Sequence, residues 1–280
     1  MNSLRTWNYA AAALHAGFTV WALMRLQNKD VTMYKLSYET SENPASDLDY
    51  AMTTAEDGTR NVKTFVVVFF ALTSLAHVLY ATDFFGKGLY KNAVLGYGWN
   101  PFRWIEYSLT AGIMIYLIAI VAGAKESSNA LVAALLVPGL MLQGLTVERE
   151  LHQNALASWA SRKTQQKPNI DAVLVWANFI PAWIFFGIKW YIIWNAYFEL
   201  KRQLENDGKT IDKRITELVF IQFLGFTAFG IIQSVQVYSW VYSGRGHWTQ
   251  SFYINYEKAY IALSFIVKAA LGISVARLLA

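Results

Sequence analysis

The 280-residue sequence contains no cysteine. Disulfides, thiolate metal ligands and a cysteine nucleophile are therefore excluded, and the redox compartment stays open. Charge is scarce too. Asp, Glu, Lys and Arg make up 15% of the chain, against roughly 25% in an ordinary soluble protein. Nor does the net charge of +5, with a pI near 9.2, come with a basic run, so nucleic acid is not an expected partner. Metal-ligand spacings, a Gly-rich phosphate loop and a nucleophile elbow are all missing. "GRGHW" is too short and isolated to read as a nucleotide site, and no enzymatic activity is expected. His152 and His247 read as solvated loop histidines.

What is there is apolar: 55% of residues are hydrophobic and 16% aromatic, in long runs with the charges gathered between them. That pattern argues for several membrane spans rather than one water-soluble core. Seven windows reach the length of about 17–25 residues that a bilayer requires. They lie near Trp7–Met24, Thr64–Tyr80, Phe102–Val121, Ala130–Val147, Ala172–Trp194, Leu218–Val241 and Tyr256–Leu279. The first follows Arg5 closely, carries His15 and lacks a small-residue cleavage site, so it reads as a span and not as a cleaved signal. The expected fold is an all-α seven-transmembrane-helix bundle, with residues 1–280 forming a single domain. Trp7, Trp104, Trp190, Trp194 and Trp240 fall near predicted span ends, as an interfacial aromatic belt would. The longest loop, residues 27–63, is acidic. Its "VTMYKLSY" alternates and is rich in strand formers, which suits a small β-hairpin as well as an irregular loop. Lys and Arg are nearly balanced between the two sets of loops, so charge alone does not orient the chain.

One residue breaks the pattern. Lys268 sits in the middle of "YIALSFIVKAALGISVARLLA". A lysine at the centre of a membrane helix costs about 2.5–3.5 kcal/mol on insertion scales, so it needs a partner or a chemical modification. A desolvated lysine amine is a nucleophile toward an aldehyde and forms a Schiff base. The protonated form then needs a counterion, and Glu106, in "NPFRWIEYSLTAGIMIY", is the carboxylate set inside a predicted span. Pairing of Glu106 with Arg103 is the plainer alternative for that residue. Ser264 lies four residues before Lys268 on the same helical face, where its hydroxyl can bond the Schiff base or the counterion. Lys189, in "FFGIKWYIIW", is read differently. It lies near a predicted span end, where its stem reaches the interface beside Trp190 and Trp194.

These residues carry a family resemblance. On the third-span "RWIEYS", the last-span "LSFIVK", the long first loop and His15, the sequence resembles the heliorhodopsins, within the retinal-binding microbial rhodopsins, over essentially its whole length. The resemblance implies all-trans retinal bound covalently to Lys268, Glu106 as counterion and Ser264 as its hydrogen-bonding neighbour. It implies that His15 and His77 belong to a polar cluster that holds the released proton, and that Glu148 is the acidic residue at the end of the fourth span. Glu148, with Arg103, is also a candidate for a gate or proton path. It further implies a plasma-membrane protein with a cytoplasmic N-terminus and an extracellular C-terminus, a homodimer in lipid, and a signalling partner still to be identified.

Trp104, Tyr107, Met114, Met141, Trp183, Phe226 and Phe229 are the candidate pocket walls, with Gln233 a polar contact. Phe226 and Phe229 stand out because the sixth span lacks a central Trp, as in heliorhodopsins. The bottom-up reading bears on transport as well. Ser264 stands where a bacteriorhodopsin-like pump has a second carboxylate. Around Leu117, where such a pump has its proton donor, "GIMIYLIAI" has none. A pump needs sites of distinct pKa on both sides of the chromophore. These absences argue against directional pumping, and with them the resemblance implies a light sensor in which retinal isomerises from all-trans to 13-cis without net ion pumping. A light-gated proton or cation channel is the alternative, with Glu148, Glu150 and Glu217 near an ion path. A third class is a non-photochemical receptor or transporter in which Lys268 and Glu106 are simply a buried ion pair. The small residues of "ALVAALLVPGL" suit either a second protomer or a neighbouring helix.

Overall fold

The structure, a computed structural model, describes residues 2–40, 50–84, 86, 88, 90, 92–161, 172–241 and 250–280. Among these the chain forms seven α-helices and one two-stranded sheet. In order they are α1 (Asn2–Arg25), β1 (Asp30–Thr40), β2 (Tyr50–Asn61), α2 (Val62–Thr82), α3 (Pro101–Val121), α4 (Ser127–Ser161), α5 (Ala172–Asn206), α6 (Lys213–Val241) and α7 (Gln250–Leu279). A short π-helical segment, Asn92–Tyr97, precedes α3.

Six helices, α2 to α7, are long and apolar enough to cross a membrane. The further helix, α1, is diluted by Arg5, Asn8 and His15, yet it packs into the same bundle. Ser74 Oγ of α2 donates to the Ala12 carbonyl at 2.9 Å, and Arg5 Nε donates to the Ala81 carbonyl at 2.8 Å. The surface is apolar: Leu142 is 62% exposed, Tyr191 71% and Val173 78%. The interior holds Arg103, Glu106, Glu148, Lys189, Glu257 and Lys268, all buried. In water this distribution would be inverted. Lipid, as the solvent of the outer face, accounts for it, and the polar groups are kept where they can satisfy one another. The protein is an integral membrane protein.

Two helices run furthest past their predicted spans. α4 continues past Val147 to Ser161, and α5 past Trp194 to Asn206. Hydropathy marks the apolar stretch, whereas the helix itself ends only where its backbone stops pairing. His152 thus lies within α4 and not in a loop, while His247 and the side chain of Trp240 are outside the described residues. The aromatic belt is also only partial. Trp7 is 40% exposed, but Trp104 and Trp190 are buried at 5% and 2%, turned into the bundle. In α4, Ala130, Ala133 and Val137 are buried while Leu131 and Leu135 face out. The small residues therefore pack on a neighbouring helix of the same chain.

The hairpin forms as the alternation of "VTMYKLSY" suggests. β1 and β2 pair antiparallel from Asp30↔Asn61 to Thr40↔Tyr50, with an irregularity between Thr32 and Tyr34. There the sheet touches the bundle: the Tyr34 N–H donates to the Lys125 carbonyl at 2.9 Å, and Ser127 Oγ donates to the Tyr34 carbonyl at 2.8 Å. Asn61 ends β2 and caps α2, accepting from the Thr64 N–H at 3.0 Å. The sheet is thereby fixed to both α2 and the α3–α4 connection.

Close approach of α3, α4 and α6 depends on Gly144. A Cβ there would collide with the indole of Trp104, and the Gly144 carbonyl accepts from Gln233 Nε2 at 3.2 Å. Overpacking of this kind costs about 1–3 kcal/mol. Gly144→Ala is expected to lower the thermal unfolding midpoint in detergent by about 2–4 °C per kcal/mol. An unchanged midpoint would mean that Trp104 yields freely.

Candidate functional site

The site begins with the cap of α3. Asn100 Oδ1 accepts from the Arg103 N–H at 3.2 Å, and Pro101 occupies the first turn. This sets the register in which Arg103, Glu106, Tyr107, Thr110 and Met114 share the inward face, at helical spacing. On α7 the same spacing aligns Glu257, Tyr260, Ser264 and Lys268. The two faces meet at the lysine.

Lys268 is 3% exposed. Its Nζ donates to Glu106 Oε1 at 2.7 Å and to Thr73 Oγ1 of α2 at 2.6 Å. Thr73 and Thr110 donate to the same carboxylate oxygen at 2.9 and 2.8 Å. Glu106 thus belongs to Lys268 and not to Arg103. The hydroxyls that serve it are those of Thr73 and Thr110. Ser264 is one turn from Lys268 and faces the same cavity, but its Oγ bonds neither Lys268 nor Glu106.

His15 and His77 lie together, with ring centroids 5.7 Å apart and planes 26° from parallel. His15 Nδ1 is 2.8 Å from the Ala11 carbonyl, which can only accept, so Nδ1 carries the proton. His77 Nδ1 is 2.8 Å from Asn8 Oδ1. The Asn8 amide nitrogen donates to the Leu4 carbonyl and approaches the Tyr90 hydroxyl at 3.2 Å, which fixes Oδ1 as an acceptor. His77 therefore also carries its proton on Nδ1. Each ring is left with a buried Nε2 that has no hydrogen-bond partner among the described residues. In the neutral ring, each is a free lone pair.

Arg103 has its own anions. Its Nη2 is 2.8 Å from Glu148 Oε1, and its Nη1 pairs with Glu257 Oε1. Glu148 also accepts from Trp104 Nε1 at 2.6 Å and from the Tyr253 hydroxyl at 3.2 Å, and Glu257 accepts from Asn100 Nδ2 at 2.9 Å. The guanidinium carbon lies 4.2 Å from the Tyr260 ring centroid. Arg103 and Glu148 are thus brought together, as candidates for one path would be, but their cluster is separate from the Lys268 pair. Glu217, at the start of α6, pairs instead with Arg277 at 3.3 Å.

A cavity lies between α3, α4, α5, α6 and α7, with about 70 Å³ open to the centres of water molecules. Every expected wall residue lines it: Trp104, Tyr107, Met114, Met141, Trp183, Phe226 and Phe229, with Gln233 and Ser264. Lys268 is in its wall. So is Lys189, which is a correction. Lys189 is 1% exposed and turned into the cavity between the helices, not outward toward an interface.

The sequence reading missed Thr73, Thr110, Asn8 and Glu257. Glu257 had a signal, since it shares the face of Lys268 through Tyr260 and Ser264. Thr110 stands four residues from Glu106, and Asn8 seven from His15. Thr73 had none, because it meets Glu106 only through the packing of α2 on α3.

The charge arrangement sets unequal costs. Arg103→Met strands two buried carboxylates, whereas Glu257→Gln leaves Arg103 its bond to Glu148. Removing one partner of a buried pair costs about 3–5 kcal/mol. Arg103→Met is therefore expected to lose that much in detergent unfolding and Glu257→Gln clearly less. Equal losses would contradict the shared cluster.

No curated protein matches the chain. The model of the Heliorhodopsin family matches residues 4–276, which takes in all seven helices, the hairpin and every residue of the Lys268 site, and the chain belongs to this family of retinal-binding rhodopsins.

Proposed function

We propose that the chain is a light-sensing photoreceptor that holds all-trans retinal as a protonated Schiff base on Lys268, with Glu106 as counterion. One observation carries the reading: Lys268 Nζ, paired with Glu106 at 2.7 Å, is part of the wall of an aromatic cavity. The residues present fit the group. An elongated hydrocarbon suits a wall of Trp104, Tyr107, Met141, Trp183, Phe226 and Phe229, and a cationic nitrogen suits a carboxylate already held by Thr73 and Thr110. Bound there, retinal supplies the absorption of light and the all-trans to 13-cis isomerisation.

The chain's own residues do the rest. Glu106 balances the cationic nitrogen and so favours its protonated form. Thr73 and Thr110 hold the carboxylate in place. When the nitrogen gives up its proton, His77, one turn from Thr73 on α2, and His15 stacked on it offer neutral imidazole Nε2 acceptors beyond Glu106, and Asn8 and the Ala11 carbonyl fix both tautomers. In the opposite direction α3 is closed, since Leu117, Ile118 and Ile120 are buried among apolar side chains. An acceptor cluster on one side with an apolar plug on the other supports return of the proton to Lys268 without net transport. The reading includes no enzymatic activity. Its remaining parts rest on the family: a plasma-membrane homodimer, the N-terminus cytoplasmic, the hairpin and C-terminus extracellular, and a partner that reads the altered helices.

Two tests follow. Lys268→Ala is expected to abolish the visible band and Glu106→Gln to shift it to the red, by absorption spectroscopy of the retinal-reconstituted protein. A normal band in the first or an unmoved band in the second would remove that residue from its role. Under voltage clamp the illuminated wild type is expected to give no stationary current. A current that reverses with the ion gradient would establish a channel, and one that does not reverse, a pump.

A further inference from the structure

Lys189 has no part in that mechanism. It is 1% exposed, on the middle of α5, and its Nζ lies 4.9 and 4.7 Å from the ring centroids of Phe186 and Phe226. No carboxylate, hydroxyl or carbonyl bonds it among the described residues. Attraction to two phenyl faces is weak compared with the water a lysine amine gives up on burial. A buried polar group left without a partner calls for an explanation.

The cavity supplies one. Lys189 and Lys268 are both in its wall, and a succession of rings separates them. Lys268 Nζ is 5.3 Å from the Tyr107 centroid, Tyr107 is 5.6 Å from Phe229, Phe229 is 6.5 Å from Phe226, and Phe226 is 4.7 Å from Lys189 Nζ. A ligand fixed at Lys268 and lying along these rings brings its far end to Lys189. The single oxygen of retinal leaves as water when the carbonyl carbon bonds the Lys268 nitrogen. Nothing on that ligand then remains for Lys189.

Building on the reading that the cavity holds a retinoid, we propose that Lys189 donates a hydrogen bond to an oxygen on the ring end of the chromophore, so that the site selects a ring-oxygenated retinal, bearing a hydroxyl or keto group, over plain retinal. A lysine amine donates in either protonation state. A site built to bond a ligand hydroxyl discriminates against the analogue lacking it, because its own polar group is then left unpaired.

The apoprotein would be offered an equimolar mixture of all-trans-retinal and all-trans-3-hydroxyretinal, and the bound chromophore released and quantified. About tenfold enrichment of the hydroxylated form is expected, equivalent to about 1.4 kcal/mol. Lys189→Met should lose the enrichment while still forming pigment with plain retinal. A second readout needs no Schiff base: 3-hydroxy-β-ionone should raise the unfolding midpoint of the apoprotein more than β-ionone does, and equally with it in Lys189→Met. Equal uptake by the native protein, or enrichment that survives in Lys189→Met, overturns the proposal and leaves water as the amine's partner. If Lys189→Met does not fold, the native comparison alone decides. Absence of pigment with either retinoid would count against the photoreceptor reading, and the ionone comparison would still report on Lys189.

Discussion

The contact between Lys268 and Glu106 constrains the rest of the bundle. Either charge alone in the interior would be severely destabilising, and together they are tolerable only with good geometry and satisfied neighbours. That requirement reaches three helices. α7 must present Lys268 inward, α3 must present Glu106 at the matching height, and α2 must bring Thr73 to within 2.6 Å of the amine. The cap at Asn100 and Pro101 is where the height of α3 is set. A start shifted by one residue would turn Glu106 about 100° around the helix axis, toward the lipid face now occupied by Ile105, which is 59% exposed.

Around this pair the polar interior is divided rather than continuous. The histidine pair belongs to α1 and α2, the Arg103 cluster to α3, α4 and α7, and Lys189 to α5. Tyr107 and Tyr260 stand between the Arg103 cluster and the lysine, with the Tyr107 hydroxyl donating to the Tyr260 carbonyl at 3.0 Å. Division suits the proposed reading, in which one proton moves a short way and returns. A continuous polar row would invite conduction, whereas separate clusters walled by aromatic rings keep each exchange local.

Much of this was legible in the sequence, for identifiable reasons. Long apolar runs fix the helices because a bilayer tolerates no unpaired backbone, and a mid-span lysine with one mid-span carboxylate names its own partner. The hairpin was legible as alternation. Lys189 was misread because closeness to the end of an apolar run does not say which way a side chain faces, and its face of α5 turns into the bundle. Trp104 and Trp190 were misplaced for a related reason. A tryptophan near the end of an apolar window suits a headgroup or a buried donor equally, and only the packing of Trp104 on Gly144 and Glu148 decides. Thr73 shows the limit of the approach, since a single hydroxyl in an apolar helix acquires its role from a contact that no spacing encodes.

Among the described residues, the buried basic side chains are Arg103, Lys189 and Lys268, besides the two histidines, and the buried carboxylates are Glu106, Glu148 and Glu257. Their pairing is uneven: Arg103 has two anions, Lys268 one and Lys189 none. In a medium of low dielectric constant such charges act on one another over longer distances than in water, so an added or lost charge at one cluster is felt at the others. Attachment of an aldehyde at Lys268 respects this constraint. The ammonium nitrogen would become a protonated imine nitrogen, the oxygen would leave as water, and the formal charge facing Glu106 would be unchanged. A protein folded around the Lys268–Glu106 pair is therefore already organised for its chromophore. On the proposed reading, light would change the position of that charge relative to Glu106 and, were the proton to move to the histidines, its address within a total that stays constant.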